Sequence, residues 1–232
     1  TEITGINNLT INNPVGSLLN ASDITVNGNL NLVAGKLTTG TYKVSLPAGA
    51  SVTKTDTSWV IGNMEKSVAT GATSVIYEVG ADAVNYTPVT LAFGNVNTAG
   101  NIKVNAVSGA HPNLATSVIS STKRLSFFAT VTGSGGIAYD QYNAIINFTA
   151  SNVLGSANTS TMIAGQFDGT NWTYPSVSNR TSSSITLSGL IAGGDLAIGE
   201  VNCTLSVTAN NSGPVCYTNP ANFFANVNGN NG

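Results

Sequence analysis

Side chains able to do chemistry are few and scattered in this sequence. The single histidine, His111, precedes Pro112 in a loop-like stretch and has no second imidazole with which to build a triad or a metal cluster. It is expected to be an ordinary surface residue. Ser120-Ser121-Thr122-Lys123 spells the Ser-x-x-Lys of acyl-transfer enzymes, but that pattern belongs at a helix start and its surroundings read as strand. The ten carboxylates are dispersed, so only the fold could assemble a glycosidase-type pair. Asp168-Gly169-Thr170-Asn171 offers oxygens to Ca²⁺, but a hairpin turn accounts for the same residues and is the expected reading. No cofactor and no enzymatic activity are expected.

Residues suited to recognition and modification are more numerous. Tyr139, Tyr142, Trp172 and Tyr174 could form a stacking platform for a sugar ring, against which core packing of Trp172 is the alternative. Asn-x-Ser/Thr sequons stand at Asn8, Asn20, Asn85, Asn158, Asn171, Asn179, Asn202 and Asn210, and at Asn147, whose apolar strand context makes it the poorest acceptor. Asn, Ser and Thr are so abundant that about as many sequons would arise by chance, yet a surface poor in charge gains solubility from glycans. Cys203 and Cys216 flank a Ser-Gly-Pro turn. A disulfide closing that loop would stabilise by about 3 kcal/mol and would point to an oxidising, extracellular setting; two unpaired thiols are the alternative.

Composition sets the limits. A chain of 232 residues, 41% of them hydrophobic, can bury a sizeable core. Only 8% of residues are charged, against roughly 25% in ordinary soluble domains. The net charge is −2 and the basic residues are scattered, which excludes phosphate-neutralising nucleic-acid binding. Nothing reaches the roughly 18 consecutive apolar residues of a membrane span. Thr1-Glu2-Ile3 lacks the basic and apolar regions of a signal peptide, so an exported protein would be represented here in its mature form.

Helical periodicity is almost absent and the chain reads as all-β. Leu9 to Asn13, Ile24 to Gly28, Leu30 to Leu32 and Tyr42 to Leu46 alternate apolar with Thr, Asn, Lys or Ser, like rungs that bury one face by stacking on a neighbour. Beyond Lys66–Thr73, a polar connection taken as a soft boundary, strands are expected at Ser74–Val79, Val89–Phe93, Ile102–Val107, Leu125–Val131, Ala144–Phe148, Met162–Phe167, Asn171–Tyr174, Ile185–Leu187, Leu196–Ile198 and Thr204–Ala209. The expected architecture is a solenoid-like N-terminal β-ladder leading into an antiparallel, jelly-roll-like β-sandwich, with terminal strands available for pairing between subunits. Its parts are an arm at 1–22, the ladder at 23–72, the sandwich at 73–200 and a cysteine-bearing extension at 201–232.

Several stretches carry a family resemblance. Ile24 to Leu32, Gly35 to Gly40 with Tyr42 to Leu46, Tyr77 to Gly80, Tyr86 to Leu91, Gln166 to Pro175 and Leu196 to Glu200 resemble the β-repeats of large secreted bacterial surface proteins and adhesins of the kind exported by type IX secretion. Cys203 to Val227 looks like the start of an immunoglobulin-like repeat in such proteins. The resemblance implies an extracellular structural role at the cell surface and brings no catalytic residues with it.

The expected function is therefore a subunit of an extracellular filament, its partner a second copy of itself joined by β-strand addition. Ile3, Ile6, Leu9 and Ile11 at one end, and Phe223, Phe224 and Val227 at the other, are the candidate donor positions. Pro14 to Asp23 would let the first rung lie on its own ladder or on a neighbour's. The alternative is a carbohydrate-binding adhesin module, with surface glycans as partner.

Overall fold

A computed structural model describes residues 5–202 together with the backbone of Val207–Asn211 and Phe223–Val227. Residues 1–4, 203–206, 212–222 and 228–232 lie outside the described part, and with them Ile3, Cys203 and Cys216. The protein is all-β, and its first third is a three-sided solenoid.

The short rungs stack in parallel, as the alternation requires. Strands β1 (Leu9–Asn12), β4 (Asn29–Ala34) and β6 (Ser51–Lys54) form one side. A second side joins β2 (Ser17–Leu18) to the start of β5 (Leu37–Leu46), and the start of β5 to the start of β7 (Val60–Val68). The third joins Ile6 to Val26, and β3 (Ile24–Thr25) to the later halves of β5 and β7. One turn of the coil takes about 20 residues: Ile24 stands beside Val44, and Val44 beside Met64. Like therefore stacks on like inside the coil, and Leu30, Val44, Val60 and Met64 are wholly buried. Outside, the polar halves of the rungs bond to one another: the Asn29 amide Nδ2 donates to Thr53 Oγ1 at 3.0 Å, and Thr53 Oγ1 donates to Asn31 Oδ1 at 2.9 Å. At one corner Gly35 has φ +75°, and a Cβ there would run into the carbonyl of Asn13 in the rung above.

Strand β7 belongs to both halves of the molecule. Its later residues pair in parallel with β5 on one edge and antiparallel with β11 (Gly100–Ser108) on the other. Of the polar connection 66–73, β7 and β8 (Gly71–Tyr77) occupy all but residues 69 and 70. Four further strands complete this part: β9 (Val79–Gly80), β10 (Val89–Thr98), β12 (Ile119–Arg124) and β13 (Phe127–Ser134). They are followed by β14 (Ala138–Tyr139), β15 (Tyr142–Asn147), β16 (Ile163–Phe167), β17 (Trp172–Thr173), β18 (Ser176–Arg180), β19 (Ser184–Leu190) and β20 (Gly194–Val201). One sheet runs β7-β11-β13-β20-β16-β17, continuing the solenoid wall; the other runs β8-β10-β15-β19-β18. Their inner faces share one core with the coil, from Ile11 through Val104, Ala129 and Ile146 to Ile198. Beyond Val201, β21 (Val207–Asn211) and β22 (Phe223–Val227) pair antiparallel with each other.

Candidate functional site

The sequence-selected residues do not converge. Tyr139 and Tyr142 pack edge-on at 5.5 Å beside Phe93 on one sheet, with Tyr142 buried. Trp172 and Tyr174 lie at β17 on the other sheet, so the four rings make no common platform. Trp172 packs on the cluster of Leu114, Ile119, Phe128 and Ala197, while its Nε1 donates to the Asn113 carbonyl at 3.1 Å. The Tyr174 hydroxyl accepts from the Val118 amide at 2.9 Å.

His111 departs most from expectation, being only 4% exposed. The chain leaving β11 folds over the outer face of the long sheet and sets the imidazole among Phe128, Phe167 and Trp172, with ring centroids about 5 Å away. The Asn113 amide donates to Nδ1 at 3.1 Å, so Nε2 carries the proton and donates to Asp195 Oδ2 at 3.0 Å. This fixes one tautomer and clamps the loop to β20. Nothing local in the sequence signals it, because every partner is distant along the chain.

The turn at Asp168 forms as expected. Asp168 Oδ1 accepts from the Thr170 and Asn171 amides, both at 2.7 Å, and these bonds hold the carboxyl below its ordinary range. Gly169 takes φ +103° there. The Ser-x-x-Lys run lies in β12, where Ser120 Oγ accepts from the Lys123 amide at 3.0 Å and Lys123 Nζ turns to Glu200 at 3.5 Å. The spacing therefore yields no nucleophile–base pair.

Sequons sort by what their amides already do. Asn85 Nδ2 donates to both oxygens of Asp82, and Asn147 Nδ2 donates to the Pro88 carbonyl. Asn8, Asn20, Asn158, Asn171, Asn179 and Asn202 are exposed. The side chain of Asn210 lies outside the described part. Leu9 and Ile11 face their own coil in register with Leu30 and Leu32, and Ile6 bonds to the second rung through its amide and carbonyl. Of the two placements the sequence left open for the first rung, it takes its own ladder.

Polar chemistry gathers instead on the outer face of the long sheet. Since Val44, Met64, Val104 and Val131 point into the core, their strand neighbours point out. Lys43 comes from β5, Asn63 and Glu65 from β7, Lys103 from β11, and Thr132 and Ser134 from β13; with Asp23 and Thr41 they line a cavity of about 280 Å³. Four of the chain's ten acidic and eight basic residues thus meet in one place. Lys43 Nζ donates to Glu65 Oε1 at 2.7 Å, Ser45 Oγ to the same oxygen at 3.1 Å, and Ser134 Oγ to Oε2 at 3.3 Å. Burial alone would raise the Glu65 carboxyl, but Lys43 and the two hydroxyls hold it below its ordinary range. The parallel register makes Ser45 and Glu65 neighbours one coil apart, a step of 20 residues that extending the rung pattern past Leu46 would have given. Lys103 arrives only through the antiparallel turn-over at β11, which it did not.

A second cleft, of about 440 Å³, lies where Gly133, Gly136, Ile137 and Tyr139 face Ile191 and Gly193. Its walls are largely glycine and alkyl groups. Among the described residues no three His, Cys, Asp or Glu side chains gather as metal ligands, and no helix is long and apolar enough to cross a membrane. Compared with protein-family models, curated proteins and solved structures, the chain matches none.

Proposed function

We propose that this chain is an extracellular structural subunit that joins copies of itself head to tail by β-strand addition. The observation that carries the reading is the open first rung. Strand β1 pairs with β4 on one side, and among the described residues no strand pairs with its other edge. Residues 5–22 contain no charged side chain, and Val15 and Leu18 are 92% and 63% exposed. Sheet edges that remain single are ordinarily blunted with charge or covered. The opposite end of the coil is dressed in that way: Tyr86 packs on Trp59 at 5.6 Å, and Lys54 and Lys36 each lie 4.2 Å over one of these rings.

The stretches 5–22 and 201–232 carry no charged side chain. At the far end β21 and β22 pair with each other, and an isolated two-stranded hairpin is marginal without a further sheet. Among the described residues the pair β21-β22 has no third strand and the first rung has no second neighbour, and the two are complementary. Joined between copies, they make a heterologous contact that propagates into a filament. In this arrangement the first rung receives and the hairpin carrying Phe223, Phe224 and Val227 donates. Glycans at the exposed sequons would keep the sides of such a filament soluble.

The test places two lysines on the rung. Thr10→Lys with Asn12→Lys alters exposed β1 positions and leaves Leu9 and Ile11 in the core. Sedimentation velocity over a concentration series is expected to show wild-type mass growing and the double variant remaining monomeric with an unchanged Tm. A wild type that stays monomeric throughout, or a variant that assembles equally well, contradicts the reading.

A further inference from the structure

The charged cavity beneath Lys43 and Lys103 is independent of the rung edge and of any association between copies. Its side chains stand on adjacent strands of one sheet, so their positions are fixed before a ligand arrives. Glu65 is already satisfied: it has Lys43 on one oxygen, with Ser45, and Ser134 on the other. Lys103 is the direct cross-strand neighbour of Glu65, yet forms no ion pair among the described residues. The hydroxyls of Thr41 and Thr132 also line the cavity without a hydrogen-bond partner in the described part. Asn63 spends its Nδ2 on the Gly40 and Tyr42 carbonyls, which leaves its Oδ1 to accept. Asp23 uses Oδ1 on the Lys43 amide at 3.0 Å and keeps Oδ2.

What remains on offer is one ammonium, two hydroxyls and two acceptor oxygens. A single free cation pairs fully with a monoanion and leaves the second charge of a dianion such as phosphate unpaired. The acceptors of Asp23 and Asn63 suit ligand hydroxyls. A cavity of about 280 Å³, near the lower bound of roughly 300 Å³ for drug-sized ligands, has room for a single sugar ring. We infer that this cavity binds a single hydroxyl-rich monocarboxylate, a uronic acid residue at the end or side of a glycan. Lys103 takes the carboxylate, and Asp23, Asn63 and Thr132 take the ring hydroxyls.

The test titrates D-glucuronate and D-galacturonate, with glucose, galactose and inorganic sulfate as comparisons, into the full chain while amide and side-chain NMR shifts are followed. A uronate is expected to give saturable shifts at Lys103, Thr132 and Asn63, with at least tenfold weaker binding of its neutral parent. Lys103→Ala is expected to weaken uronate binding by tenfold or more at unchanged Tm, whereas Lys123→Ala, at a distant exposed site, leaves it intact. No saturable shift at these residues with either uronate overturns the proposal. So does equal binding of the neutral parent or of sulfate, or wild-type affinity in Lys103→Ala. Because the Thr10→Lys, Asn12→Lys protein retains the cavity, the same titration on it separates failure here from failure of assembly.

Discussion

Glu65 shows how a charge is kept inside a protein nearly devoid of charge. Its side chain is only 9% exposed, and it remains ionised because an ammonium and two hydroxyls replace the water it gave up. With the folded-state pKa below the unfolded value, the stability it contributes is present above the ordinary carboxylate range. It is lost as pH falls through the lowered folded value. Glu65→Gln is therefore expected to cost roughly 1–3 kcal/mol at pH 7, and the gap from wild type should shrink as the solution is acidified toward pH 3. Urea unfolding of both proteins at several pH values measures this; a gap independent of pH would mean that the carboxylate charge contributes nothing. His111 illustrates the opposite economy, a neutral imidazole fixed by one amide and one carboxylate and otherwise surrounded by aromatic rings.

At the scale of elements, the rungs depend on register. At Gly35 a Cβ would overlap the Asn13 carbonyl of the neighbouring coil, so Gly35→Ala introduces both a positive-φ penalty and a clash. The expected cost is about 2–4 kcal/mol, read as a lowered Tm, whereas Gly49→Ala, also at positive φ but with open space around it, should cost less. Equal losses would place the effect in φ alone. The rungs and the Asp168 hairpin were legible in the sequence because a period of two and a turn residue with its own hydrogen bonds are local signals. The strand character of Lys66 and Ser67 was not, because their polar side chains look like a connection while their backbone extends a strand shared by two halves of the sheet. Nor was the burial of His111 or the approach of Lys103 to Glu65, since both arise from antiparallel pairings between distant segments.

For the whole molecule, the solenoid and the sandwich form one continuous wall with one core. The first rung lies in a stretch, 5–22, without a charged side chain, and an uncharged open edge is where a sheet recruits another strand. In the proposed filament β1 receives the hairpin of a second copy. Hydrogen–deuterium exchange of the intact protein at low and at high concentration tests it most directly, because strand addition adds backbone hydrogen bonds at defined amides. The account predicts that protection rises with concentration in Leu9–Asn12 and in Val207–Asn211 or Phe223–Val227, while the central strands β13 and β15 do not change. Protection of β1 that is identical at both concentrations, in a sample shown by sedimentation to have assembled, would contradict it.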